Sequence, residues 1–344
     1  MKPRPSHLVE ALIGAALAGA LLVGLTWSPG AAHSIIDRAN LLSDSERERV
    51  AAYHGRLLDE HDIDYRVLTV RRLPDINRLG HEQFTALGVG GDSHSGRGLL
   101  LVIDPESDRI RLEVSAALEG VYTDAFVAYL EQRQMVPFFR QGRIGDGILA
   151  TSELIFARAQ EAQAGHAFEP NETRAWSTGA GAATAARIGA GTDRSFAGRR
   201  ADVAPEASPD ATVAAYLAAM QRRNARPDLS LFSQDSRAML RSWTITPAQM
   251  DAVTRTYARC RGAATRFGPD GERAVIRYPI EQRQCAPWFL ARENAAWRLD
   301  LAASQRALRF NHRNEWRLAG AADGYAFAFE DWRFDRNGFP IASR

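Results

Sequence analysis

The chain has 344 residues, of which 45% are apolar, and this length is sufficient for two hydrophobic cores of ordinary size. Its 43 basic and 41 acidic side chains leave a formal net charge of +2 and are spread along the sequence. Because no basic stripe stands out, the composition argues against a nucleic-acid-binding protein, and we expect no nucleic-acid partner.

The first 32 residues have the pattern of an export signal or a membrane anchor. Lys2 and Arg4 precede an apolar stretch within residues 8–27, and small residues follow at 30–32. The uninterrupted part of that stretch, about 17 residues, would span roughly 25 Å as a helix, slightly less than a hydrocarbon core of about 30 Å. Cleavage after Ala32 and retention as an anchor both stay open. Either one places the rest of the chain in the periplasm or another extracytoplasmic compartment.

The segment of residues 33–163 alternates between helical and strand patterns. The first half predicts a helix after a capping box at Ser43 and Glu46, a strand at 65–71 and a short helix at 82–87. The second half predicts strands at 98–104 and 110–114, a helix that Thr123 caps and that runs through Met135, and a last helix at about 144–164. The last two strands pair as a hairpin. This order predicts a three-layer α/β sandwich with a mixed sheet.

A glycine-rich loop occupies residues 88–98. A phosphate cradle follows a strand and opens a helix, whereas this loop follows a helix, opens a strand and lacks Gly-Lys-Ser/Thr. The loop is therefore interpreted as a mobile connection over the sheet edge, with His94 solvated.

The motifs of this segment, in their order, resemble those of the TPM domain, which is named after a thylakoid lumen protein, a photosystem II protein and an acetylcholine-receptor modulator. They lie at 37–43, 98–102, 110–114, 118–124 and 137–142, and the resemblance covers about residues 35–162. It implies an extracytoplasmic, usually membrane-tethered domain that supports the assembly, repair or modulation of membrane complexes. Acid phosphatase activity and calcium binding are also attributed to some members.

The chain departs from the family pattern in two places. It has Gly96-Arg97-Gly98 where the family has an acidic residue before Asn-Gly, and Ser115-Ala116-Ala117 where the family has Gly-x-Gly. Both departures fall around the site that the resemblance implies, which argues against phosphatase chemistry.

Carboxylates near the end of the second hairpin strand are the candidate site residues. Glu113, Glu119 and Asp124 lie on or just beyond that strand, and open α/β sheets place their sites at strand ends. Asp37, Glu119 and Asp124 are predicted to converge at one end of the sheet as a low-affinity Ca²⁺ or Mg²⁺ site, because these ions take oxygen ligands.

An alternative stays open for each of these acids. Asp124 would occupy the positive end of its helix, Glu119 would be a solvated turn acid, and Asp37 would cap the approach to the first helix. Hydrolysis would have to be metal-assisted, because the sequence has no serine or cysteine in an elbow motif. No catalytic residue is assigned.

Residues 164–208 are rich in glycine, alanine, serine and proline, which predicts a flexible linker between independent cores. The second domain, 209–344, has helical patterns at 210–223, 227–232, 233–243 and from 247, then strand patterns at 259–267, 273–281, 286–293 and 297–301. Segments between 209 and 302 resemble the NTF2-like superfamily, which implies an α+β cone with a peptide or apolar ligand. An aromatic extension follows, with a hairpin turn at Asn337-Gly338.

Cys260 and Cys285 are the only cysteines, and export to an oxidising compartment favours a disulfide between them. They are predicted to face each other on neighbouring strands. The alternative is two buried, unpaired thiols.

These features together predict an exported, membrane-associated module that binds or modulates an envelope or membrane protein complex without catalysing a reaction. The alternative function is a metal-dependent acid phosphatase.

Overall fold

The computed structural model describes residues 33–72, 75–107, 109–168, 186–187, 201–319, 322 and 324–341. The described residues form two compact units, the first within residues 33–187 and the second within residues 201–341. The predicted signal or anchor and most of the predicted linker lie outside the described residues. Within the described part of the chain, no helix is long and apolar enough to cross a membrane.

The first unit is built on a five-stranded sheet in the order β1-β2-β3-β4-β5. Its strands are β1 (Ile35–Asp37), β2 (Asp64–Thr69), β3 (Gly98–Asp104), β4 (Arg109–Val114) and β5 (Ala186–Arg187). The strands β1, β2 and β3 are parallel, whereas β4 runs antiparallel to β3 and β5 antiparallel to β4. The predicted mixed sheet is therefore present. The three residues of β1 and the two of β5 are too short to show a strand pattern in the sequence.

The helices of the first unit cover both faces of this sheet. They are α1 (Asp44–His61), α2 (Ile76–Ala86), α3 (Asp124–Tyr129), a π-helix (Leu130–Met135), α4 (Val136–Phe139) and α5 (Ile144–Gln163). Leu68 packs with Ile76 of α2, whereas the Tyr65 hydroxyl lies 2.9 Å from the Ser152 hydroxyl of α5. Because residues an odd number apart in a strand point to opposite faces, α2 and α5 cover opposite sides, and the unit is an α/β sandwich.

Two helix starts agree with the sequence pattern. Ser43 and Glu46 form the capping box of α1, and the Thr123 hydroxyl accepts a hydrogen bond from the Phe126 amide. The predicted helix from Thr123 through Met135 is not continuous, since a π-helical turn interrupts it after Tyr129.

The second unit is α+β, as predicted. Its helices are α6 (Pro209–Gln221), α7 (Gln234–Leu240), α8 (Pro247–Arg259) and α9 (Leu301–Ala307), and a 3₁₀-helix spans Ala326–Phe329. An antiparallel sheet contains, in this order, β6 (Ala264–Phe267), β7 (Arg273–Arg277), β8 (Trp288–Glu293) and β9 (Ala296–Leu299). One hairpin pairs β10 (Leu308–Phe310) with β11 (Trp316–Leu318), and another pairs β12 (Arg333–Phe334) with β13 (Pro340–Ile341). The NTF2-like resemblance stays a prediction.

Each face of the β6–β9 sheet carries its own hydrophobic core. Ile276 and Leu290 pack with Tyr216 of α6, whereas Val275 and Phe289 pack with the aromatic C-terminal segment. Trp288, Trp297 and Trp316 are all buried, as expected of core residues, and Asn337-Gly338 forms the predicted turn between β12 and β13.

Several sequence predictions for the second unit need correction. The segment 227–232 is not helical, and the strand predicted to end at 301 gives way to α9. Cys260 and Cys285 do form a disulfide, with their Cα atoms 5.9 Å apart. However, Cys260 ends α8 and Cys285 lies in a turn before β8, so the bridge does not join neighbouring strands.

Part of the predicted linker is structured. Residues 186–187 form β5, and residues 201–208 lie against the second unit. There the Asp202 carboxylate accepts a hydrogen bond from the Ser230 amide at 2.8 Å, and the Glu206 carbonyl accepts one from the Trp297 amide at 3.0 Å. The flexibility of the remaining linker residues stays a prediction.

Candidate functional site

The three acids predicted to form a metal site do not lie at one end of the sheet. Asp37 pairs with Thr69 at the carboxyl ends of the parallel strands. Because β4 is antiparallel, its last residue, Val114, pairs with Leu99 at the beginning of β3. Glu119 and Asp124 follow Val114, so the chain reaches them from the edge where β3 begins. The register puts this edge four residues, about 13 Å along the strands, from the level of Asp37. The prediction that the three converge is wrong.

The carboxylate of Asp37 is already satisfied by its own chain. It is fully buried and accepts hydrogen bonds from the amides of Leu41 and Leu42, at 2.9 and 3.0 Å, and from Thr69 and Arg47. Burial alone would raise the pKa of Asp37, but these donors outweigh burial and lower it. Asp37 therefore ties β1 to α1 and β2, which agrees with the alternative of a capping role.

The other predicted acids also have local roles or face solvent. Glu119 and Asp124 are exposed, and Asp124 lies in the first turn of α3. Glu113 is buried and forms an ion pair with Arg111, two residues earlier on the same face of β4.

A different group of side chains meets at the edge where the parallel strands begin. Within the described ranges, one cluster has ligand atoms close enough for a metal: His54 of α1, Asp64 of β2 and Asp92 of the glycine loop, all within 4.8 Å of one another. The Nδ1 atom of His54 lies 2.7 Å from the Tyr65 carbonyl oxygen and donates to it, which leaves Nε2 as the basic nitrogen. Sequence spacing did not reveal this cluster, because its members come from three separate elements.

Arg66 occupies the centre of this edge. Its Nε and Nη2 atoms donate to the two carboxylate oxygens of Asp64 at 2.9 and 2.8 Å, and Nη2 lies 3.2 Å from Asp92. Asp64 also accepts from the amide of Gly90 at 2.8 Å. Asp64 and Arg66 are two residues apart in a strand and so share a face, and this spacing is a signal from which the pair could have been predicted.

The charge state of Asp64 follows from these contacts. Burial alone would raise the pKa of Asp64, but the hydrogen bonds from Arg66 and Gly90, together with the guanidinium charge, hold it below its ordinary value. A guanidinium thus supplies the positive charge that a metal ion would bring. The donor set fits an arginine-centred network better than a cation site.

The glycine loop is held by hydrogen bonds. Asp62 accepts from the amide of His94 at 2.7 Å, and the Ser93 hydroxyl accepts from the amide of Arg97 at 3.0 Å. The two arms of the loop touch through backbone atoms, since a Cβ at Gly98 would lie 2.8 Å from the amide nitrogen of Gly90. These contacts argue against the predicted mobile loop, whereas His94 is exposed, as expected.

A cleft of about 910 Å³ lies beside this loop, bounded also by the ends of α1 and α5. Its lining mixes ionisable and apolar side chains, among them Leu58, Asp59, Asp62, Asp92, His94, Arg97 and Ala159. The volume falls in the range of ordinary small-molecule sites.

One family model of known proteins matches most of the first unit. Residues 35–158 match the family model of the TPM domain. A solution NMR structure of the N-terminal domain of a protein from P. gingivalis is 22% identical, with a TM-score of 0.36, and the alignment covers 42% of this chain and 91% of that chain. No curated protein matches the chain. Residues 35–158 of this chain are thus a TPM domain.

Proposed function

We propose that this chain is an exported, membrane-associated TPM-domain protein that binds and modulates an envelope complex without catalysing a reaction. The observation that carries the proposal is the arginine-centred network at the glycine-loop edge. Asp64 is bound by Arg66 and by backbone amides, and Asp92 also contacts Arg66. The export and membrane association rest on the sequence pattern of residues 1–32.

A fixed guanidinium suits binding better than hydrolysis. Metal-assisted hydrolysis needs a cation with an exchangeable position where a water molecule loses its proton. Arg66 provides a permanent positive charge but no such position, and its donors are directed at Asp64. The edge is therefore suited to holding the loop and the cleft in one shape.

The second unit is proposed to supply a further binding surface, for a peptide or an apolar ligand. The motif resemblance to NTF2-like modules supports this role, and so does the curved arrangement in which Phe267 of β6 contacts Trp297 of β9 across the sheet, with ring centres 5.7 Å apart. Phe267 is 57% exposed, so it is accessible to a partner.

The alternative function is a metal-dependent acid phosphatase using Ca²⁺ or Mg²⁺. The proximity of His54, Asp64 and Asp92 favours it, because one imidazole nitrogen and two carboxylates are suitable metal ligands. In this alternative the cation would have to displace Arg66 from Asp64.

Turnover of p-nitrophenyl phosphate separates the two functions. The full chain would be assayed from acidic to neutral pH with Ca²⁺, with Mg²⁺ and with EDTA. We expect no turnover above background in any condition. Metal-dependent turnover that is lost in Asp92→Asn and kept in Glu119→Gln, an exposed acid outside the cluster, would overturn the non-catalytic proposal.

Partner capture tests the binding role directly. The tagged full chain would be purified from detergent-solubilised envelope, with an unrelated tagged exported protein as the control. We expect one membrane complex to co-purify reproducibly with this chain alone. Identical capture profiles for the two baits would contradict the proposal.

A further inference from the structure

The cleft beside the glycine loop contains an arginine, Arg97, whose charge has no partner among the residues that the structure describes. Arg97 lines the cleft, and its side chain is half-buried. Its Nε atom is buried with no hydrogen-bond partner, and among the described residues its guanidinium forms no hydrogen bond or ion pair. A buried donor without an acceptor destabilises a fold, so each such donor needs an explanation, and a bound acceptor from outside the chain is one.

The backbone under this side chain is fixed. The amide of Arg97 donates to the Ser93 hydroxyl at 3.0 Å, and its carbonyl accepts from the amide of Asp64 at 2.9 Å. Gly98, the next residue, packs its backbone against Gly90. Arg97 is therefore presented to the cleft from a rigid base, which reduces the entropy lost when a ligand binds.

The acidic side chains of the cleft differ in whether hydrogen bonds or ion pairs already occupy their carboxylates. Asp62 accepts from the amide of His94 and from the Ser95 hydroxyl, and Asp92 forms an ion pair with Arg66. Asp59 is exposed and has no hydrogen-bond or ion-pair partner in the part of the chain that the structure describes. One guanidinium and one carboxylate thus remain available in the same cleft.

The other side chains that line the cleft restrict which class of ligand it can bind. Apolar side chains, among them Leu58, Val121 and Ala159, offer contact to a small hydrocarbon group. The other ionised groups are acidic, so a doubly charged anion such as phosphate would be repelled unless it carried a compensating positive charge. A molecule with one carboxylate and one ammonium group offers an acceptor for Arg97 and a donor for Asp59.

We propose that this cleft binds a small zwitterion, a free amino acid or a dipeptide, whose carboxylate accepts a bidentate pair of hydrogen bonds from Arg97. The ammonium group of the ligand faces the acidic side of the cleft, where Asp59 lies. The proposal goes beyond the modulating role above, since it gives the TPM domain a ligand of its own.

Thermal unfolding of the full chain tests the proposal. The probes are the protein-forming amino acids one at a time, glycylglycine and inorganic phosphate. We expect at least one zwitterionic probe to raise the Tm of the wild type, inorganic phosphate to leave it unchanged, and Asp59→Asn to reduce the shift. Arg97→Met should abolish the shift, whereas Arg72→Met should keep it, because Arg72 is an 86% exposed arginine at the other edge of the sheet.

The unliganded variants distinguish a binding residue from a structural one. Arg97→Met without ligand should unfold at or above the wild-type Tm, because it removes a buried donor that lacks a partner. The proposal would be overturned if unliganded Arg97→Met had a lower Tm than the wild type, or if a probe still raised the Tm of Arg97→Met. It would also be overturned if phosphate raised the wild-type Tm more than any zwitterion did, or if no probe raised it. The outcome is independent of the turnover and capture experiments, because it measures binding alone.

Discussion

Replacement of Asp64 by asparagine keeps the shape of the side chain and removes the charge that faces Arg66. Asp64 is fully buried and the Arg66 side chain is 10% exposed, so the guanidinium would be left in a poorly solvated position. Breaking a buried pair by removing one partner costs about 3 to 5 kcal/mol. Since Arg66 keeps Asp92 and the Leu87 carbonyl as acceptors, we expect the lower value, about 3 kcal/mol, for Asp64→Asn.

The difference in free energy of unfolding between the wild type and Asp64→Asn should decrease as the pH falls. The folded-state pKa of Asp64 lies below its ordinary value of about 3.9, so the carboxylate stabilises the fold above that pH. This stabilisation is lost as the pH falls through the folded-state pKa. The wild type and Asp64→Asn should therefore differ fully at neutral pH and converge under acid conditions.

Urea denaturation followed by far-ultraviolet circular dichroism measures the free energy of unfolding in each case. Asp92→Asn is the matched control, because its carboxylate contacts the same guanidinium at 3.2 Å but is 45% exposed. Partly exposed pairs contribute about 0 to 1 kcal/mol. A loss in Asp64→Asn no larger than that in Asp92→Asn, or a difference that persists in acid, would refute the reasoning.

Gly98→Ala should destabilise the first unit by about 1 to 3 kcal/mol in urea denaturation, because the new Cβ would lie 2.8 Å from the Gly90 backbone. Gly120→Ala is the control and should be near neutral, because a Cβ there would have no atom within 4 Å. Equal effects would contradict the close-approach argument. Reduction of the disulfide between Cys260 and Cys285, which are 25 residues apart in sequence, should lower the free energy of unfolding by about 3.5 kcal/mol. Urea denaturation followed by tryptophan fluorescence, with and without reductant, measures this loss. An unchanged urea midpoint would contradict the prediction and show that other contacts already constrain the loop. Limited trypsin digestion should cut first between 165 and 200 and leave two protected fragments; early cuts inside either unit would contradict independent cores.

The sequence predicted the α/β sandwich because the strands with long apolar patterns, β2, β3 and β4, form the middle of the sheet. It missed β1, since three residues carry too little periodicity, and α9, since Leu301 to Ala307 follows a strand pattern without a break. It found the disulfide from the cysteine count, but not the elements that hold it.

The predicted metal site failed for a reason already present in the predicted hairpin. A hairpin returns the chain to the edge where its first strand began, so residues after β4 cannot meet Asp37 at the far edge. The arginine network was harder to foresee. Asp64 and Arg66 share a face by spacing, but Asp92 and His54 reach them only through tertiary packing.

The hydrogen bond between the Glu206 carbonyl and the Trp297 amide matters for any attempt to isolate the second unit. The strand β9 is the last of its sheet, and its outer amides are covered by Glu206 and by the Leu231 carbonyl, which accepts from Leu299 at 2.9 Å. A fragment that starts at the predicted boundary of residue 209 would leave the Trp297 amide uncovered on an exposed strand edge. Such edges pair with other chains, so the shorter fragment should aggregate, and a soluble one should begin near residue 201.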